Sequence, residues 1–175
     1  MIKRISIATF IFILSSSLHV SAQFINLQLK IEPELSATVE QNLDFGTVVT
    51  NSGEKFINLG DLSMGVFSIK AINTQSLYIE LNAPDYLINT NPLQNSRIPL
   101  NLNISYNNMG IDDASSSTPM DDNSIYVKVY EESDGNIINQ DVWQIMYLYV
   151  YGSINVGNIP NGDYYGEVVL YVDYD

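Results

Sequence analysis

The sequence contains no cysteine and a single histidine, His19, in 175 residues, and it sets 7 Lys plus Arg against 20 Asp plus Glu. Without Cys there is no disulfide framework, no thiolate nucleophile and no cysteine-ligated zinc or iron–sulfur site. A formal charge of −13 argues against a nucleic-acid partner, because the phosphate backbone is held by clustered Lys and Arg. Long apolar runs are scarce. The run at residues 5–14 is too short to cross a bilayer, which takes ~20 apolar residues. No stretch sustains a helical period over three turns.

What is present begins with an address. Lys3 and Arg4 precede the apolar residues 5–14, and residues 15–22 end in Val20-Ser21-Ala22, a small-x-small cleavage site. Residues 1–22 thus read as a secretory signal peptide. Cleavage leaves one domain, residues 23–175. Lys3, Arg4 and His19 depart with the leader. The remaining cations are Lys30, Lys55, Lys70, Arg97 and Lys128, five against 20 acids, for a charge of −15. Such a chain builds no Ser-His-Asp triad, no Cys-His dyad and no His-bearing zinc site. With no Cys after the apolar run, a lipid anchor is not expected either, nor is an integral membrane span after cleavage.

The rest of the chain alternates apolar and polar residues with a period of two, the mark of strands with one buried face. Phe67, Ile69 and Ala71 oppose Ser68 and Lys70. Leu77, Ile79 and Leu81 oppose Tyr78, Glu80 and Asn82. Residues 98–106 and 125–130 repeat the pattern, and residues 164–174 read as one last strand with Val168, Leu170 and Val172 on one face. Turn residues separate the runs, at 51–53, 107–110, 134–136 and 160–163. Asp134-Gly135, between the runs 125–132 and 142–151, reads as a hairpin tip. The pattern predicts an all-β fold, an immunoglobulin-like antiparallel β-sandwich; a closed barrel satisfies the same pattern.

Residues 109–123 break the rhythm. They are polar, acidic and Ser-rich, and read as a long, flexible, exposed loop. Asp112, Asp113, Asp121 and Asp122 bracket it and are the candidates for a calcium site, since hard cations take clustered carboxylates. Their spacing matches no EF-hand loop, and a solvated acidic loop is the plainer reading, with no cofactor. Trp143, Tyr147, Tyr149 and Tyr151 share one parity. They form either an aromatic platform for a sugar or protein partner, or a ladder that stabilises the sheet. With 20 acids and no motif to select a pair, no catalytic residue emerges, and no enzymatic activity is expected.

Two stretches carry a resemblance. The early Leu43-Asp44-Phe45-Gly46-Thr47-Val48, and the final Gly162-Asp163-Tyr164-Tyr165-Gly166 running to Tyr174, resemble the exported bacterial family catalogued as domain of unknown function 4402. That family is similar in pattern to spore-coat U-like proteins and chaperone–usher pilins. The resemblance implies structural roles for Phe45, Gly46, Gly162, Tyr164, Gly166 and Tyr174. Independently, Gly46 fits a bend or bulge, Gly166 a close approach within a strand, and Tyr174 a pin for the chain end. Classical pilins carry a disulfide that is missing here. Residues 24–31 alternate too, with Ile25, Leu27, Leu29 and Ile31 on one face. That segment either forms the domain's own first strand or completes another subunit's sheet by strand addition. The expectation is a non-catalytic structural or surface-assembly protein, secreted to the periplasm or cell surface of a Gram-negative-type bacterium. The alternative is a secreted carbohydrate- or calcium-binding module.

Overall fold

Alternating segments become strands where one of their faces finds a partner layer. The computed structural model describes residues 35–130 and 142–175; the expected leader at residues 1–22, the segment 24–31 and Asp134-Gly135 lie outside them. Among the described residues the strands are β1 (Ser36–Gln41), β2 (Gly53–Ile57), β3 (Gly65–Ile72), β4 (Ser76–Asn82), β5 (Tyr86–Asn89), β6 (Arg97–Asn107), β7 (Thr118–Pro119), β8 (Ser124–Lys128), β9 (Trp143–Val156), β10 (Tyr164–Tyr165) and β11 (Val169–Tyr174). No helix among them is long and apolar enough to cross a membrane.

The strands form two antiparallel sheets. The larger runs β1-β3-β9-β6-β5-β10, with β2 beside β9 and β7 beside β6; the smaller runs β11-β4-β8. Strand β9 organises the larger sheet. On one side its residues 143–150 pair with β3 and residues 152–156 pair with β2. On the other side residues 147–154 pair with β6.

The sheets pack face to face through the apolar positions of their alternating strands. Ile69, Met146, Leu148 and Ile104 of the larger sheet meet Leu77, Ile79, Leu81 and Val127 of the smaller one. Leu77 and Ile79 have no exposed surface and Leu81 has 1%. Burying each such side chain contributes ~1.5–3 kcal/mol. Polar ties cross the layers as well: the Asn108 side-chain amide donates to the Lys128 carbonyl at 3.1 Å.

This is an all-β sandwich of immunoglobulin type. The order β1-β3-β9-β6 matches the A-B-E-D sheet of that fold, and β4 and β11 take the places of C and F in the other sheet. Beside F that fold places a seventh strand, G. Among the described residues no strand lies beyond β11.

Three expectations need correction. First, the last strand is two. Tyr164–Tyr165 pairs with β5 in the larger sheet, and Val169–Tyr174 pairs with β4 in the smaller. The chain changes sheets at residues 166–168. Second, β8 and β9 do not form a hairpin, because β8 pairs with β4 while β9 lies in the other sheet. Third, residues 109–123, largely exposed as a loop would be, carry regular structure that their pattern does not announce. Thr118–Pro119 adds to β6, a 3-10 turn forms at Ala114–Ser116, and Met120 packs on the core. The Asn107 side chain holds this segment from within, donating to the Asp113 carbonyl at 2.8 Å and accepting from the Met109 amide at 2.9 Å.

Candidate functional site: an open slot between the sheets

The two sheets differ in width, and the difference leaves part of the larger sheet's inner face uncovered. Strand β1 is the outer strand of one sheet and β11 of the other. Between β1 and the segment that leads into β11 lies a cavity of about 900 Å3. Phe67, Leu102, Val150 and Ile154 form its floor, and Val39 and Val168 stand on its two sides. A smaller hollow of about 220 Å3, touching Ala37, Val39, Phe67, Val168 and Leu170, continues the slot along both strands.

The register shows which way the edge residues face. Directly opposed residues of antiparallel strands share a face. Val39 opposes Phe67, which opposes Leu148 of the core. Val39 therefore points inward, yet 54% of it is exposed. An inward-facing valine left bare at a sheet edge marks a place where an apolar layer is open.

The two sequence motifs converge on this slot. Phe45, Gly46, Gly162, Tyr164 and Gly166 all line it, although they come from opposite ends of the domain. Phe45 is buried in the cluster at one end, with Ile98, Ile154 and Val156. Gly46 is not in a strand bulge: it sits in a turn at φ +65°, and its amide donates to Asp44 Oδ1 at 2.7 Å. The turn through Gly162 delivers Tyr164, whose hydroxyl donates to the Pro160 carbonyl at 2.9 Å and lies 2.8 Å from Ser96 Oγ. Gly166 stands at the change of sheets, not inside a strand. A Cβ there would lie 3.0 Å from Leu87 Cδ2 and from Pro84 Cγ, so the close approach is aliphatic. Tyr174 pairs with Leu77 and packs against the core away from the slot. Ile25, Leu27, Leu29 and Ile31 lie outside the described residues.

The four aspartates do not assemble a cation site. Among the described residues no three His, Cys, Asp or Glu side chains come together. Asp113 caps the 3-10 turn, accepting from the Ser115 amide at 3.0 Å and from the Ser115 and Ser116 hydroxyls at 2.6 Å each. The Ser115 hydroxyl, then that of Ser116, holds its carboxyl below the usual range. Asp112 accepts from the Tyr149 hydroxyl at 2.9 Å. Asp121 and Asp122 lie exposed ahead of β8.

Nor do Trp143, Tyr147, Tyr149 and Tyr151 form an open platform. They share the outer face of β9, as their parity requires, but Tyr149 is fully buried with Met64, Val66 and Ala114. The 3-10 turn that carries Ala114 has no apolar alternation to announce it as a cover. Sequence reasoning missed the exposed aromatic face, which belongs to the smaller sheet: Tyr126 is 67% exposed and Tyr171 56%.

The Tyr149–Asp112 pair gives a pH signature. Burial, then the hydrogen bond to Asp112, pushes the Tyr149 hydroxyl well above its ordinary 10.0. Burial, then the nearby Asp112 charge, also raises Tyr147. A folded-state pKa above the unfolded one contributes stability that is present below about pH 10 and lost as pH rises further. Urea unfolding of the parent protein is expected to lose about 1 kcal/mol more between pH 10 and pH 11 than that of Tyr149→Phe. Parallel pH profiles for the two would show that Tyr149 ionises freely in the folded state.

No family model matches the chain, and no curated protein matches it. The family resemblance therefore rests on the motif residues themselves.

Proposed function

We propose that this protein is an exported, non-catalytic structural subunit of the bacterial envelope, pilin-like or coat-like, that assembles by strand addition. The observation that carries the reading is the slot between β1 and β11, an apolar floor between two sheet-edge strands. An extended chain entering it would extend a sheet through its backbone and fill the floor with alternate side chains. Exposed edges of this kind are templates for pairing, and soluble proteins blunt them unless they are used.

Residues 24–31 have the matching pattern. Ile25, Leu27, Leu29 and Ile31 span ~20 Å as a strand, the length of six-residue β1 and β11. Burying four such side chains is worth on the order of 10 kcal/mol before the entropy of association is subtracted. The leader at residues 1–22 accounts for export to the periplasm or cell surface. Exported copies, each with 20 acids against 5 bases after loss of Lys3 and Arg4, repel one another, so added salt is expected to favour assembly.

Light scattering on the exported protein, residues 23–175, tests this. Polymers that grow with protein concentration are expected. A single monomeric size at every concentration and salt level would remove the proposal.

A further inference from the structure

The outer face of the smaller sheet is a second surface, independent of the slot. Leu77, Ile79 and Leu81 face the core, so Tyr78 and Glu80 face outward. The register builds a cluster around Glu80. Tyr171 of β11 stands directly opposite it on one side, and Ser124 of β8 on the other. Tyr78 lies two residues along the same strand, opposed by Tyr126 and Asp173. The Tyr78 and Tyr126 rings are 4.9 Å apart and inclined at 43°. The Tyr78 hydroxyl donates to Glu80 Oε2 at 3.0 Å.

We infer that this face binds a cationic side chain, arginine or lysine, presented by a basic protein partner. A carboxylate bordered by three tyrosine rings offers a guanidinium or ammonium group both charge and π-faces. Cations already lie over rings elsewhere in the molecule: Lys70 Nζ is 5.7 Å from the Trp143 ring centre, and the Arg97 guanidinium 5.8 Å from that of Tyr86. Among the described residues of β4, β8 and β11 the one cation is Lys128, which stands opposite Ser76 at the far end of the strand pair from Glu80. A second copy offers few free cations for it, because Lys70 and Arg97 already lie over rings of their own chain. A stacked sugar fits poorly, because rings inclined at 43° do not present one plane.

The test is an amide chemical-shift titration of the full chain at low salt with the peptide Gly-Arg-Gly-Arg-Gly, its Gln-for-Arg analogue and an uncharged glucan oligosaccharide. Shifts from the arginine peptide are expected within β4, β8 and β11 and nowhere else, with none from the analogue. The double variant Tyr126→Ala, Tyr171→Ala keeps the net charge and removes exposed rings. It is expected to weaken arginine binding about fivefold, and Glu80→Gln is expected to weaken it as well. Equal affinity for parent and double variant would mean general attraction to an acidic protein and would overturn the inference. So would shifts scattered over the acidic turns, or shifts on this face from the oligosaccharide alone.

Discussion

Gly152→Ala is expected to leave little folded protein. Gly152 lies mid-strand in β9 at φ +152°, and a Cβ there would come 2.1 Å from the Asn101 carbonyl oxygen and 2.9 Å from Leu102 Cα. Both obstacles are backbone of β6, which pairs with β9 along residues 147–154. The neighbour cannot retreat without parting the two central strands of the larger sheet. A loss of at least ~3 kcal/mol is expected, a large share of the ~5–15 kcal/mol that holds a domain of this size. Gly157→Ala is the control. A Cβ there meets nothing within 4 Å, so a change within ~0.5 kcal/mol is expected. Urea unfolding followed by circular dichroism separates the two variants, and a parental midpoint for Gly152→Ala would show that β6 and β9 are not so closely apposed.

The second large effect concerns assembly. Changing Leu27 and Leu29 together to Asp places two charges on the face proposed to enter the slot. Burying a carboxylate without a partner costs several kcal/mol, so assembly is expected to fall at least a hundredfold in light scattering. Changing Asn26 and Gln28 to Ser alters the opposite parity and is expected to leave assembly intact. If both pairs of substitutions act alike, the segment contributes by composition and not as a strand of fixed register.

The alternation at residues 77–81 made the core face of β4 legible, because one of its sides is sealed by another sheet. The same rule missed β1. Its inward positions, Ala37 and Val39, stand over an open slot, so Ser36–Gln41 carries too few apolar residues to announce a strand. It also ran residues 164–174 together, because parity continues through Gly166 while the chain changes sheets. Parity records which face a residue is on, not which sheet it belongs to. Parity groups Tyr149 with Trp143, Tyr147 and Tyr151 but does not reveal its burial, which depends on a polar segment 35 residues earlier in the chain that carries Ala114. The motif residues Phe45, Gly46, Gly162, Tyr164 and Gly166 were visible as motifs. That they surround one slot follows from the sheet order, a long-range property that no local pattern encodes.

Hydrogen exchange along β1 and β11 in the full-length protein tests the central claim most directly. In β11, β4 satisfies alternate backbone groups on one edge, and the groups on the other edge face the slot. If residues 24–31 enter as a strand, the slot-facing amides of the strand they pair with exchange slowly in the parent protein. They exchange quickly in the Leu27→Asp, Leu29→Asp variant, while the amides of β9 stay protected in both. Identical rates along β1 and β11 in the two proteins would contradict the account.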